Sequence, residues 1–452
     1  MTAGATASRP LRRILGLGFG LSVAFGGTVG VGILALPGKL AAALGDSHLI
    51  VLFWVLGAAY AALGAVAIAE LSAMLPLAGG FYVYARRAFG NGPGFVIGWS
   101  DWLNNVSSIA YACLAATTFL SALWPTAAIY PRVASLAMLL LFTGFHWIGL
   151  KISSTLTGVI SLSVGLMMLA LVAACMFSAP ASGPSEPLLT GSAVTLPLIS
   201  IAMLAVVVTA LRAVLVTFDG WYSPIYFAEE NATPASTMPR AIIGGTLLVA
   251  ALYVVINVAL LRVLPLSVMA HSELPAADAA RAVLPSGGAT LLTIISLFTV
   301  LSLVNACLLL TPRILLALGR DGLFTAKAAQ VSVGGTPQVA LALTSATAAL
   351  LIVAGTFDQI LALAAMLFLL NYVSAYAAVF VLRRREPATP RPYRAFGFPI
   401  TTGIVFVGSV AFLVAAVVSD HRSGAIAGSF VAACGLFYWL TWRGRQAPRG
   451  TR

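Results

Sequence analysis

Five glycines fall within fifteen consecutive positions of the first long apolar run, AFGGTVGVGILALPG, residues 24–38. Each glycine costs a helix about 1 kcal/mol relative to alanine, so the run predicts an interruption between Gly26 and Gly32. A helix that restarts after such a break presents unpaired N–H groups and the positive end of its dipole, and both favour a carboxylate. The residues expected to form this anion site are Gly30, Val31, Gly32 and Ile33.

A second stretch, TFDGWYSP (217–224), brings Asp, Gly and Pro together in the sixth apolar run. Non-helical backbone persists in hydrocarbon only where it is buried in protein or lines a cavity. The carbonyl oxygens that a break frees suit a cation, so the two breaks together would fit a zwitterion such as the α-carboxylate and α-amine of an amino acid. The expected carbonyl donors and their neighbours are Gly27, Thr28, Val216, Phe218, Asp219 and Gly220.

Asp219 is the most informative single residue of the second break. A carboxylate at mid-membrane costs about 2.5–3.5 kcal/mol on insertion scales, so this side chain needs a role. It either holds a substrate ammonium or a proton, or it caps backbone amides that the break has freed. The sequence leaves both roles open, and it offers essentially no other carboxylate at mid-depth. Trp221, two residues later, is expected to cover a bound ligand with its flat ring.

The glycine run has a simpler interpretation, because glycines also allow helices to pack closely. A second break at the corresponding position of another span favours a binding site instead. Glu70 is interpreted differently, since it falls near the end of its span. We expect it to bond loop amides or Arg86 and Arg87 rather than line a pathway.

Composition identifies the elements that must position these residues. The chain is 60% hydrophobic and 8% charged, with a mean hydropathy of +1.01, which is typical of membrane proteins rather than soluble domains. Runs of about 20 apolar residues can cross a bilayer as helices. The sequence predicts twelve such spans, at about 14–43, 48–74, 94–123, 132–150, 152–178, 206–230, 240–264, 288–318, 337–354, 357–383, 398–419 and 423–442.

The net charge of +12 follows the topology rather than a nucleic-acid surface. With twelve spans and a cytoplasmic N-terminus, 19 of the 25 Lys and Arg residues lie on the cytoplasmic side, 5 lie outside and Arg212 lies within or beside a span. That bias is the positive-inside rule. We therefore expect cytoplasmic tails at 1–13 and 443–452, a position in the plasma (inner) membrane among its lipids, and no nucleic-acid partner.

The two breaks stand at the start of two sets of five spans, which is the sequence pattern of an inverted-repeat transporter. We therefore predict an all-α polytopic membrane protein in one transporter domain spanning 1–452. Its first repeat is 14–178, its second repeat is 206–383, and two additional helices occupy 398–442.

Catalytic and metal chemistry have little support in this sequence. The four cysteines lie in predicted spans without metal-ligand spacing, and the four histidines are scattered. No nucleophile or acid–base set accompanies them at mid-depth. We expect no cofactor, no metal and no enzymatic activity.

In their order and positions, several motifs resemble the amino acid–polyamine–organocation superfamily, in its L-type-like amino acid permease branch. The motifs are GTVGVGI, AELSAMLPLAGGFYVYARRAFG, FDGW…AEENATPASTMPRAI, NACLLLTPRILLALGRDGLF followed by GTP, and LRRREP…RPYRAFGFPI. The resemblance covers residues 14–400. It implies a five-plus-five inverted repeat with broken first and sixth helices, and alternating-access transport of amino acids. It also implies that Thr28, Val31, Gly32, Val216 and Asp219 hold the substrate backbone.

Departures from the family pattern bear on coupling, gating and partners. Val31 replaces a small polar residue, and Val216 stands where relatives often have an aromatic gate. The positions considered for ion coupling or specificity are Asp219, Ser161 and Ser163 on the fifth span, and Ser302 and Asn305 on the eighth. The connection after the third span, SALWPTAAIYPR, has no cysteine, so no disulfide-linked accessory subunit is expected.

The sequence therefore predicts a secondary transporter of an amino acid, most readily a neutral one, working by sodium-independent exchange or proton symport. A carrier of cationic amino acids or polyamines is the near alternative. A sensor that binds an amino acid without transporting it is an alternative of another class.

Overall fold

The computed structural model describes residues 9–179 and 201–442, and these residues are almost entirely helical. The helices are α1 (Leu17–Thr28), α2 (Gly32–Leu44), α3 (Ser47–Met74), α4 (Phe81–Phe89), α5 (Asn91–Leu123), α6 (Pro131–Ile148), α7 (Leu150–Phe177), α8 (Ile201–Thr217), α9 (Pro234–Val263), α10 (Leu266–His271), α11 (Pro275–Val283), α12 (Gly288–Leu310), α13 (Pro312–Arg320), α14 (Gln338–Ala354), α15 (Phe357–Arg385), α16 (Ile400–Ser419) and α17 (His421–Trp442). Residues 1–8 of the predicted N-terminal tail (1–13) and the predicted C-terminal tail (443–452) lie outside the described residues.

The prediction of a polytopic helical membrane protein is confirmed. Within the described ranges, nine helices are long and apolar enough to cross a membrane, and the bent pair α1–α2 forms a tenth candidate. Two shorter apolar helices, Val206–Thr217 and Gln338–Ala354, occupy the sixth and ninth predicted spans. The assignment of 14–178 and 206–383 to two related repeats stays a prediction.

The first break is shorter than the sequence predicts. α1 continues through Gly26 and Gly27 to Thr28, and α2 begins at Gly32 with a bend of 46°. The two helical glycines serve packing instead, since a Cβ at Gly26 would lie 2.7 Å from the Ser302 hydroxyl. Both interpretations of the glycine run therefore apply, but to different glycines.

In the sixth predicted span, a turn and a 3-10 helix follow α8 in place of a continuous α-helix. α8 ends at Thr217, a turn follows, and a 3-10 helix runs over Ser223–Glu230 with Pro224 in its first turn. A proline at a helix start loses no hydrogen bond, because the N–H it lacks would be unpaired there. α9 then begins at Pro234 and crosses back.

Backbone hydrogen bonds join the segment before α1 to the end of the 3-10 helix. The Leu15 amide donates to the Glu230 carbonyl at 3.0 Å, and the Ala232 amide donates to the Leu15 carbonyl at 3.1 Å. The entrance to α1 is thereby fixed to the end of the 3-10 helix. This contact lies on the side of the membrane where the described chain begins.

Ion pairs close this same side of the protein. The Arg86 guanidinium lies 2.6 Å from Asp321, Arg320 lies 2.8 Å from Glu229, and Arg87 lies 2.8 Å from Glu386. The expected pairing of Glu70 with Arg86 or Arg87 is wrong. Both arginines have other partners, and the buried Glu70 carboxylate binds Arg383 and Arg391. The expected bond to a loop amide is present, since the Ala395 amide donates to Glu70.

The most deeply buried ion pair joins Arg313 of α13 to Glu230. The Arg313 Nε lies 2.5 Å from Glu230 Oε2 and its Nη2 lies 2.9 Å from Oε1, and the two side chains are 2% and 0% exposed. The same guanidinium stacks over Phe227 at 4.4 Å and donates to the Leu309 carbonyl. A pair this buried is costly to break, because the remaining charge has no partner.

We predict that Arg313→Met lowers the free energy of unfolding by about 3–5 kcal/mol, since Glu230 would stay buried without its partner. Arg281→Met removes one member of the exposed Arg281–Asp278 pair and is the matched control, with an expected loss of about 0–1 kcal/mol. Thermal unfolding of the purified protein in detergent measures both. Equal unfolding midpoints for the two variants would contradict the assignment.

Candidate functional site

A cavity of about 370 Å³ lies where the two helix breaks meet. Its floor is backbone from the breaks, and its wall comes from α5, α12 and α15. From the first broken span it is lined by Gly27, Thr28, Gly30, Val31, Gly32, Ala35 and Lys39, and from the sixth span by Val216, Thr217, Asp219, Gly220, Tyr222 and Ser223. The wall residues include Asn104, Asn105, Ser108, Tyr111, Val300, Leu303, Cys307, Phe357, Leu361, Ala364, Ala365 and Phe368.

The cavity extends toward the side of the membrane opposite the start of α1. Lys39 on the outer part of α2 and Phe357 at the first residue of α15 both line it, and both side chains are exposed. The ion pairs described above lie on the other side. The exposed rim of the cavity and these ion pairs thus lie on opposite sides of the protein.

The start of α2 offers unpaired amides to this cavity. Leu34 and Ala35 both donate to the Val31 carbonyl, at 2.9 and 3.2 Å. Among the described residues, the amides of Val31, Gly32 and Ile33 have no hydrogen-bond acceptor. Helix N-termini with free N–H groups bind anions, so this end of the cavity suits a carboxylate.

Three of the carbonyls expected in the cation site, those of Thr28, Val216 and Gly220, have donors within the described residues, and the cation site stays a prediction at Gly27, Phe218 and Asp219. The hydroxyl of Tyr253 on α9 lies 3.0 Å from the Thr28 carbonyl and 3.2 Å from the Thr217 carbonyl. The Val216 carbonyl accepts the Asp219 amide at 3.2 Å. Buried carbonyls need donors, and here a single phenol serves the ends of both helices.

The floor requires glycine where the two breaks touch. Gly220 has a φ of +110°, which favours glycine, and a Cβ there would overlap the Gly27 carbonyl. A Cβ at Gly27 would in turn meet the Ser223 hydroxyl, which donates to the Gly220 carbonyl at 2.6 Å. Gly30 differs, because a Cβ there would meet only the Thr28 carbonyl, at 4.0 Å. Its side faces open space in the cavity.

Asp219 faces the cavity as a partly buried carboxylate. The Tyr372 hydroxyl donates a hydrogen bond to Asp219 Oδ1 at 2.8 Å. The backbone amide of Gly220 also interacts with this carboxylate as a donor. Arg212 does not pair with it, since the Arg212 guanidinium donates to Ser419 at 2.7 Å. Asp219 therefore offers the cavity a negative charge without a basic partner among the described residues.

Three predicted site residues lie outside the cavity lining. Trp221 stacks on the Tyr372 ring, with centroids 5.7 Å apart, so it supports the partner of Asp219 rather than covering the cavity. Phe218 packs against Trp54 and Tyr253. The Ile33 side chain is fully buried, and only its backbone amide remains a candidate.

The candidate coupling residues lie behind the cavity. Ser161 donates to the Ser22 carbonyl at 2.8 Å, and Ser161 and Ser302 flank Gly26 on opposite helices. Asn305 donates to Thr157 at 2.8 Å, and Ser163 is partly buried on α7. The structure therefore brings Ser161 and Ser302 together, with Asn305 one helical turn further along α12, and none of the three lines the cavity. No cluster of metal-binding side chains occurs in the described part of the chain.

Sequence reasoning missed a second carboxylate inside a span, Asp101 on α5. It lies seven residues beyond the start of the predicted third span at 94, which is about 10 Å along the helix axis and about a third of the thickness of the hydrocarbon. The sequence therefore already places this carboxylate within the span. Asn104 and Asn105 were also missed, because their role depends on which face of α5 meets the breaks.

The fold and site define a class of protein: a polytopic helical membrane protein whose central cavity is built from two interrupted spans. Comparison with known proteins identifies the family. The amino acid permease family model matches residues 20–441, so the chain belongs to the amino acid permease family of the amino acid–polyamine–organocation superfamily, a family of transporters and not of enzymes.

Similar proteins include the serine/threonine exchanger SteT of Bacillus subtilis, which is 26% identical over 92% of this chain and 94% of its own. The branched-chain amino acid permease BcaP of the same organism is 24% identical over 90% of this chain and 89% of its own. The b(0,+)-type amino acid transporter 1 of Oryctolagus cuniculus is 25% identical over 85% and 79%. The resemblance read from the motifs is thereby confirmed.

We predict that Tyr253→Phe destabilises the protein by about 1–3 kcal/mol, because the Thr28 and Thr217 carbonyls would lose their donor while staying buried. Tyr130→Phe is the matched control, since Tyr130 is 67% exposed. Thermal unfolding in detergent measures the change. An unchanged midpoint for Tyr253→Phe would show that the phenol does not hold the two helix ends.

Proposed function

We propose that this protein carries a neutral amino acid across the membrane by alternating access, without sodium, as an exchanger or a proton symporter. The observation that carries the proposal is the presence in one cavity of the free α2 amides and the Asp219 carboxylate. The amides favour an α-carboxylate, and Asp219 favours an α-ammonium. The cavity would thus recognise the groups that all amino acids share.

The residues in the wall of the cavity favour a substrate with a neutral side chain. It is mainly apolar where α12 and α15 face the cavity, at Val300, Leu303, Leu361 and Phe368. A volume of about 370 Å³ lies within the range of small-molecule sites. The relatives whose names specify substrates, a serine/threonine exchanger and a branched-chain permease, point to neutral amino acids as well.

The alternatives fit the cavity less well. A polyamine has no carboxylate for the α2 amides, and its charges would meet Lys39 at the rim. A cationic amino acid would use Asp219 either for its α-ammonium or for its side chain, but not for both. A sensor would bind in the same way, and it differs only in producing no flux.

We further propose that both termini are cytoplasmic and that the protein lies in the plasma membrane, in accordance with the positive charges on the N-terminal side. The cavity then opens to the outside. The connection at 124–130 between α5 and α6 has no cysteine, which supports transport without a disulfide-linked subunit.

Counterflow in proteoliposomes tests the proposal. Vesicles loaded with one amino acid take up a labelled one, and unlabelled L-serine, L-threonine, L-leucine, L-arginine and putrescine compete from outside, with and without sodium. We expect competition by neutral amino acids, weak competition by arginine and none by putrescine. Binding without counterflow would favour a sensor, and a sodium requirement would overturn the coupling.

We predict that Gly30→Leu weakens amino acid binding at least roughly 100-fold while the protein still folds. The leucine side chain at position 30 would block access to two of the free amides at the start of α2. A hydrogen bond from each amide to a charged group is worth about 1.5–3 kcal/mol. Gly18→Leu on α1, in the same broken span, is the control, because nothing lies within 4 Å of a Cβ there. Normal uptake by Gly30→Leu would contradict the anion site.

We predict that Asp219→Asn weakens binding of neutral amino acids about 10–100-fold, because a charge-assisted bond to the ammonium is worth about 1.5–3 kcal/mol. Competition by substrate analogues with and without the α-amine measures this directly, since only analogues with the amine should lose affinity. If thermal stability alone falls and affinity stays the same, Asp219 caps the break rather than binding substrate.

A further inference from the structure

Asp101 is a buried carboxyl group with one satisfied oxygen and one that is not. Its side chain is 0% exposed. Oδ1 accepts hydrogen bonds from the Tyr226 hydroxyl at 2.8 Å, from the Asn105 amide at 3.1 Å and from the Asn371 amide at 3.4 Å. Oδ2 is buried without a partner among the described residues. Three donors on one oxygen and none on the other leave room for a proton on Oδ2.

No cation in the described ranges pairs with Asp101. Two arginines on helices that pack against α5 have carboxylate partners of their own, since Arg313 pairs with Glu230 and Arg86 with Asp321. The titratable and charged groups described on the elements packed against α5 are Tyr82, Tyr84, Arg86 and Arg87 on α4, Arg132 and His146 on α6, Cys307 on α12, Arg313 and Arg320 on α13, Tyr372, Tyr376, Arg383, Arg384 and Arg385 on α15, His421, Arg422, Cys434 and Tyr438 on α17, and Tyr222 and Tyr226 in the second break.

The charged group that acts on Asp101 through space is Asp219, which is another carboxylate. Burying one unpaired charge in hydrocarbon is already costly. Two like charges near each other at this depth are less favourable still. A proton on Asp101 removes both penalties, and it leaves Asp219 charged for the cavity.

Asp101 also contacts the cavity indirectly. Asn105 donates to Asp101 from the same helix and lines the cavity one turn further along α5. Tyr226 lies four residues after Tyr222, which lines the cavity floor, and the two rings are 6.2 Å apart. Asn371 and Tyr372 are neighbours on α15, one bonded to Asp101 and the other to Asp219. Three elements, α5, α15 and the second break, therefore contact both Asp101 and the cavity. They connect binding of a substrate with protonation of Asp101.

We propose that Asp101 is the proton-binding site of this transporter and that a proton bound there travels with the amino acid. The proton comes from water on the side to which the cavity opens and forms an O–H bond with Oδ2. It leaves to water on the other side when the protein opens there, which restores the carboxylate. This inference rests on the proposed transport function and decides between exchange and proton symport in favour of symport.

The test compares two modes of transport in proteoliposomes with radiolabelled L-threonine or L-leucine. Counterflow needs no net proton movement, whereas accumulation driven by an inward proton gradient does. For Asp101→Asn we expect counterflow within about twofold of wild type, loss of gradient-driven accumulation, and no acidification of the lumen when amino acid is added. Glu273→Gln makes the same carboxylate-to-amide change at an exposed position and should keep both modes.

The outcomes separate this inference from the proposed function. Gradient-driven accumulation and lumen acidification that persist in Asp101→Asn would overturn the inference. Wild-type counterflow without any effect of a proton gradient would also overturn it, while transport itself would stand. Absence of counterflow in wild type would refute the proposed function, and this inference with it.

A second measurement does not depend on how Asp101→Asn folds. Infrared difference spectra of the wild-type protein with and without amino acid should contain the C=O band of a protonated carboxylic acid. At amino acid concentrations that saturate the weakened site of Asp219→Asn, the band should persist in that variant if it belongs to Asp101. Its absence in wild type, or its loss in Asp219→Asn, would contradict the assignment.

Discussion

Backbone groups without partners cannot be tolerated inside a bilayer, and this constraint governs the whole structure. Two spans are interrupted at mid-depth, and each interruption frees carbonyls at one end and amides at the other. The carbonyl ends meet at a single hydroxyl, that of Tyr253, which lies 3.0 and 3.2 Å from them. The rings of Trp54 and Phe218 surround this phenol and keep water away from the junction.

The two ends of the cavity carry groups of opposite polarity. Protein donors occupy the Thr28, Thr217 and Val216 carbonyls, whereas the amides at the start of α2 remain unpaired and favour an anion. Negative charge is supplied to the cavity by Asp219. The tyrosine that positions this carboxylate is held in turn by a set of stacked rings, including Trp221 and Tyr376. The cavity thus combines a backbone site for an anion with a side-chain site for a cation.

The sequence predicts the spans, the position of the breaks and the resemblance to amino acid permeases, because apolar length and glycine content are local properties. It also predicts the free amides at Val31, Gly32 and Ile33, but not which carbonyls have donors. The Thr28 carbonyl is occupied only because Tyr253, 225 residues away along the chain, points at it. Trp221 was misplaced for a similar reason, since the side of the turn that it occupies depends on the packing of α15. Asp101 was visible in the sequence, and only its depth along α5 had to be counted.

The contact between Gly27 and Gly220 limits how this site can diversify. Neither position accepts a larger residue without moving two backbones at once, because each glycine faces main-chain or tightly held atoms of the other break. Ala364 and Ala365 on α15 line the same cavity from an ordinary helix, where a side chain can lengthen without displacing any main chain. New substrate ranges are therefore most accessible through the helical wall, while the floor stays fixed.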